Sequence, residues 1–403
     1  MAINTIFKSV GSDYERNLDG KQIVTQCNFD TTSKGGVTKV CALSSDAQIT
    51  KVQALSKQIK ISGRVSLKLV YLDGEGRLGS FDYISDFSED IADDAVIADM
   101  PCLVRASIVD SVSSISGAEI KVQTVVELSP TVVEISTVEL LEEGDGALAL
   151  RQEQDYQRYI ATVNEELEIS EEYACGARVD DVLFYDSKVL VCNVDNDDDK
   201  LTVSGQLEIS VIYSSEGVQA TKNINLPFVQ ELASRGENLR ACISANIKDS
   251  RLIIEGSEND NTFKMIVCIS LQGFVMQIEK TSAIVDLYSP TNALQVGKET
   301  VRFDKQNGVM RFEERISGSV AVDDGDEGIK NIISSVVTQN TLSNIVAMQD
   351  CILAEGILNT CVIYMSEGGN IKCIQVELPY SLQFDKEGVS AGDILCGSAI
   401  ATD

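Results

Sequence analysis

Apolar and polar residues alternate along most of this chain, and most clearly in a stretch that occurs three times, at 60–71, 200–213 and 352–364. Each copy holds a glycine followed eight residues later by a tyrosine: Gly63 and Tyr71, Gly205 and Tyr213, Gly356 and Tyr364. A period of two is that of a strand with one face buried and one wet. A glycine inside such a strand marks a bulge or a close backbone approach. A glycine-containing polar turn follows each tyrosine (Asp73-Gly74-Glu75-Gly76, Ser215-Glu216-Gly217, Glu367-Gly368-Gly369). A second alternating run comes next, so each copy reads as a hairpin.

The copies stay in step past the turn. Leu226-Pro227-Phe228 lies 21 to 23 residues after Gly205, Leu378-Pro379-Tyr380 lies 22 to 24 after Gly356, and Ser85-Asp86-Phe87 holds the same place after Gly63. Gly63 and Gly205 are 142 residues apart, and Gly205 and Gly356 are 151 apart. Such a period means repeated domains rather than solenoid units of about 20–50 residues. The 403 residues leave room for three domains. The expectation is an all-β chain of three consecutive β-sandwich or barrel-like repeats, at 1–150, 151–295 and 296–403, the last truncated.

Further strands are predicted before each motif, at 21–29, 159–167 and 308–316, and after it, at 102–108, 242–247 and 396–400. The first repeat then adds a hairpin (120–128 with 132–140), as does the second (263–271 with 274–287). The third does not: Pro290 lies 85 residues beyond Gly205, whereas only 47 separate Gly356 from Asp403. Helical signals are few; 139–155 reads as partly helical and 326–336 as turn-rich. Cleavable linkers are expected at 142–145 and 291–298.

The charge of −29, from 62 acidic and 33 basic residues, suits solubility and argues against binding nucleic acid or anionic membranes. No run approaches 18 uninterrupted apolar residues, and the first eight residues lack the apolar core of a signal peptide. Synthesis in the cytoplasm without membrane insertion is therefore expected. Histidine is absent, which removes Ser–His and Cys–His catalysis. The eleven cysteines form no C-x-x-C pair, so zinc-finger patterns fail too. No phosphate-binding glycine loop is present. The acidic run 195–199 imitates a calcium loop but places Lys200 and Gln206 where glycine and glutamate are required; 323–328 is a similar acidic loop. No cofactor or metal is expected, and no enzyme. The recurrent Tyr71, Tyr213 and Tyr364 read as packing residues at strand ends.

The Gly–Tyr strand, the Leu-Pro-Phe and Leu-Pro-Tyr positions and the segment Val285-Asp286-Leu287-Tyr288-Ser289 together resemble the SPOCS domain. That domain is the repeated unit of a family of clostridial spore-envelope proteins. The resemblance covers nearly the whole chain. It implies a non-enzymatic protein, made in the mother cell, that builds or tethers the spore coat and ends up in the spore envelope or on its surface. Family members often end in a peptidoglycan-binding LysM module; this chain has no such segment, which favours a building block. The partners expected are further copies of the chain and other spore-envelope proteins. The alternative is an adaptor for a coat morphogenetic protein.

Two site expectations follow. Cys361 and Cys373 stand six residues either side of Glu367, so a regular hairpin brings them face to face as a disulfide. The N-terminal arm, with Ile3, Ile6, Phe7 and Val10, alternates like a strand. It is the candidate donor that completes the truncated third repeat of another copy, giving a head-to-tail polymer.

Overall fold

The computed structural model describes residues 4–32, 36–197, 200–257, 260–291, 293–306, 308–322 and 328–401. Among these the chain is all-β, with every paired strand antiparallel and no α-helix. The first part holds β1 (Thr5–Gly11), β2 (Tyr14–Asn17), β3 (Lys21–Asp30), β4 (Val37–Leu55), β5 (Gln58–Asp73), β6 (Leu78–Ala92), β7 (Cys102–Ser116), β8 (Glu119–Glu134) and β9 (Thr137–Gly144). The middle holds β10 (Leu148–Ala174), β11 (Asp181–Asp197), β12 (Lys200–Ser215), β13 (Val218–Arg235), β14 (Leu239–Ser257) and β15 (Asp260–Tyr288). The last part holds β16 (Ile329–Met348), β17 (Cys351–Ser366) and β18 (Ile371–Asp385).

Each Gly–Tyr stretch is the central strand of a three-stranded meander: β4-β5-β6, β11-β12-β13 and β16-β17-β18. Central strands bury one face fully and the other in part, as their apolar content requires. Pro227 and Pro379 sit on β13 and β18, which are edge strands, where a missing N–H costs no ladder bond. A second kind of sheet backs the first two meanders. In one, β8 runs between β3 and β7, with β2 also pairing to β8; in the other, β15 runs between β10 and β14. Meander and back sheet enclose an apolar core, built in the first part by Ile59, Ile61 and Leu69 with Ile120 and Leu128. In the middle part Leu201, Val203 and Leu207 meet Phe263, Ile269 and Leu271. β1 pairs with β9 as a separate two-stranded ladder.

The hairpins expected at the ends of the first two parts are long strands instead. β8 continues through Pro130, whose carbonyl accepts from Leu18 N at 3.0 Å while the residue pairs with Val104. β15 continues through Gly273, where an added Cβ would stand under 3.0 Å from the Cys242 carbonyl. Both turn-like residues are therefore held straight by a neighbouring strand. The predicted helical stretch 139–155 is β9, a turn at 145–147 and the start of β10; of the expected linker 142–145, Glu143 and Gly144 pair with β1, Glu142 falls in a register slip and Asp145 begins the turn. Residues 329–336 belong to β16.

The third meander has no back sheet among the described residues. Its predicted flanking strands, 308–316 and 396–400, form no ladder, and no described strand stands between them as β8 and β15 do in the other two parts. These and adjoining segments cover the meander with apolar side chains. Met310, Val389 and Leu395 pack on Ile345, Ala347 and Ile352. Phe312 stacks on Phe384 with centroids 4.6 Å apart.

Candidate functional site

The repeated glycine answers to an aromatic ring on the next strand. Gly63 pairs with Phe87, Gly205 with Phe228 and Gly356 with Tyr380. A Cβ on any of the three would lie under 3.0 Å from that ring and from a backbone oxygen of the preceding strand, Gln48, Leu190 or Thr341. Beside each glycine the preceding strand slips register by one residue, at Ile49/Lys51, Val191/Asn193 and Leu342/Asn344. The bulge presses its carbonyl onto the glycine from one side and the ring closes the other. This explains why each copy has an aromatic residue 23 or 24 positions after the glycine.

The tyrosines pack as expected. Tyr71 stacks on Phe81 at 5.0 Å, Tyr213 meets Phe263 edge-on at 5.3 Å, and Tyr364 is fully buried. The residue before each tyrosine points to the opposite face. These residues, Val70, Ile212 and Ile363, are all buried, and they meet one another in a single apolar cluster with Cys41, Ala42, Phe184, Val336, Cys361 and Cys373. The three meanders are thus joined back to back. Burying three such side chains is worth about 1.5–3 kcal/mol each. The signal in the sequence is a break in alternation: apolar residues stand side by side in Val70-Tyr71-Leu72, Ile212-Tyr213 and Ile363-Tyr364-Met365.

The joining is cyclic. The last strand of each meander lies against the first strand of the next: β6 against β11, β13 against β16, and β18 against β4. Polar contacts fasten the seams. Lys68 Nζ donates to Tyr185 O at 2.8 Å and sits 4.0 Å above the Tyr185 ring. Thr221 Oγ1 donates to Ile333 O at 3.1 Å. Lys39 Nζ donates to Cys373 O at 2.9 Å, and Gln375 Nε2 donates to Cys41 O. At the first seam the Asp46 carboxyl, still reached by solvent, is pushed up to about 7 by its crowded surroundings and by Asp186 nearby.

Cys361 and Cys373 both reach this junction, but not as a pair. Cys361 pairs with Gln375 and Cys373 with Ile363. The turn is centred one residue later than predicted, with Ser366 N bonded to Asn370 O at 2.9 Å, and a one-residue shift of centre offsets the partners by two. The thiols share a face diagonally, and the disulfide between them is absent: all eleven cysteines are free.

The N-terminal arm is β1, in register with β9 from Thr5 opposite Gly144 to Gly11 opposite Thr137. Val10 is buried, whereas Ile6 and Phe7 are 54% and 56% exposed. Ile3 lies outside the described residues, as do Asp198, Asp199 and the run 323–327. Among the described residues no cluster of cysteine, aspartate and glutamate is arranged to hold a metal ion, and no helix is long and apolar enough to cross a membrane. No family model matches the chain, and no curated protein matches it.

Proposed function

We propose that this chain is a self-associating structural protein of the bacterial spore envelope, polymerising head to tail and performing no catalysis. The observation that carries the self-association is the strand position beside the third meander. In the first two parts β8 or β15 fills it; in the third, 308–316 and 396–400 lie without a ladder between them. A strand entering between these two segments would pair with backbone N–H and C=O groups that belong to no ladder among the described residues. The strand we assign to it is β1 of a second copy. β1 belongs to a two-stranded ladder, an arrangement of marginal stability alone, and it carries exposed apolar side chains at Ile6 and Phe7. Transfer of β1 from its own β9 to a neighbour's third part is a heterologous contact and generates an open polymer. The spore envelope enters through the resemblance of the repeated sequence motif alone.

The test is electron microscopy and light scattering of the purified chain, intact and with residues 2–10 deleted. Filaments or lattices from the intact chain that vanish on deletion support the reading. Equal polymerisation of both overturns donor-strand transfer. A monodisperse intact chain that captures one coat protein supports the adaptor role instead.

A further inference from the structure

We infer that Cys41 and Cys373 are the two halves of a covalent lock between the first meander and the third, closed by a small-molecule disulfide such as oxidised glutathione. The inference is independent of the polymer reading. Cys41 is the extra residue of a bulge: Val40 pairs with Tyr71 and Ala42 with Val70, which leaves Cys41 outside the ladder. Its side chain is wholly buried in the junction, and Cys373 on β18 is 4% exposed in the same cluster. Two reciprocal bonds bracket the pair. Lys39, two residues before Cys41, donates to the Cys373 carbonyl; Gln375, two residues after Cys373, donates to the Cys41 carbonyl. β4 and β18 are thereby pinned together on both sides of the thiols.

Cys361 is the rival partner: its thiol also bonds to Cys373, but it stands diagonally to Cys373 on the β17–β18 ladder. Diagonal neighbours on adjacent strands stand about 7–8 Å apart, with Cβ atoms only somewhat closer. A disulfide needs Cβ atoms about 3.5–4.5 Å apart. Residues facing each other across two packed sheets carry no such fixed offset. The Cys373 thiol accepts hydrogen bonds from Cys361 and Cys41, which push its ionisation down and theirs up.

The chemistry is two exchanges. The Cys373 thiolate attacks one sulfur of oxidised glutathione, forming a mixed disulfide and expelling one glutathione thiolate. Cys41, as thiolate, attacks the Cys373 sulfur and expels the second. Two protein thiols are oxidised, one glutathione disulfide is reduced, and the two protons end on the released glutathiones. Glutathione has no room in the closed junction, so the exchanges run while β4 and β18 are still apart during folding. The linked residues are 332 apart in sequence, and closing so long a loop restricts the unfolded chain more than a short one.

The full chain is unfolded, then refolded with dithiothreitol or with a reduced and oxidised glutathione mixture, alkylated and mapped by mass spectrometry. The expected result in glutathione is a linked peptide pair holding Cys41 and Cys373, kept in Cys361→Ser and lost in Cys41→Ser. The glutathione-refolded chain should also unfold at higher denaturant than the dithiothreitol-refolded one. Linkage of Cys361 to Cys373 overturns the inference. So does full alkylation of all eleven thiols in chain that has regained its strand spectrum from glutathione. Both overturning outcomes are read on the unsubstituted protein, so they do not depend on whether either variant folds.

Discussion

The ring of Phe228 on β13 lies directly over Gly205 on β12, occupying the space a Cβ at Gly205 would need. On the other side of that space stands the Leu190 carbonyl, a backbone atom that cannot swing away. Gly205→Ala should therefore overpack the strand and destabilise the protein by about 1–3 kcal/mol or more. Gly63→Ala and Gly356→Ala should do the same, while Gly297→Ala, with nothing near its added Cβ and no positive φ, meets no such contact. Urea titration of the four variants is the measurement. Equal effects would contradict the ring-over-glycine account.

Ile363→Ala removes a fully buried side chain from the cluster shared by the three meanders. The expected loss is about 2–5 kcal/mol. The loss should be shared: hydrogen exchange in β5 and β12 should quicken along with that in β17, because Val70 and Ile212 lose the same neighbour. Exchange that quickens only in β17 would mean the meanders are energetically separate.

Asp46 carries a pH dependence of defined sign. Its carboxyl is raised from the ordinary 3.8 to about 7 in the fold, by desolvation first and by Asp186 second. Between those values the folded chain binds more protons than the unfolded one, so this group makes stability fall as pH rises from about 4 to about 7. Above that range its penalty is constant. Asp46→Asn should flatten this part of the stability profile, measured as urea midpoints from pH 4 to pH 8. A profile unchanged by the substitution would remove Asp46 as the source.

Ile6→Asp and Phe7→Asp place charges on side chains already exposed in the monomer. Folding should be unaffected, because Val10 and the β1–β9 register are untouched. Assembly should drop at least tenfold by light scattering, since the donor strand would carry a charge into a half-apolar slot. Assembly at the original rate would show that β1 is not the contact.

The meanders are legible in the sequence because their information is local. Alternation, a glycine turn and a second alternating run lie within about thirty residues of one another. The central strands of the back sheets are hidden for a physical reason. Ser129-Pro130 and Gln272-Gly273 have turn chemistry, yet the Leu18 amide on one and the Cys242 carbonyl against the other keep both strands running. Those partners are far away in sequence and leave no local mark. Spacing alone brings Cys361 and Cys373 to the right face but the wrong row, because a hairpin's centre depends on one turn residue. The cyclic seams are invisible to periodicity. Their trace is the pair of neighbouring apolar residues at each tyrosine, which a single-face strand does not need.

A ring of three identical subunits would meet only above some concentration, and each seam would have to be a copy of the others. Here the three meanders share one chain, so their seams form at an effective concentration set by the connecting segments and do not come apart on dilution. The sequence at each seam is also free to differ. The bulge residue that is Cys41 in β4 is Leu183 in β11 and Ile333 in β16. A thiol can therefore stand at one seam alone, without disturbing the closure that holds all three together.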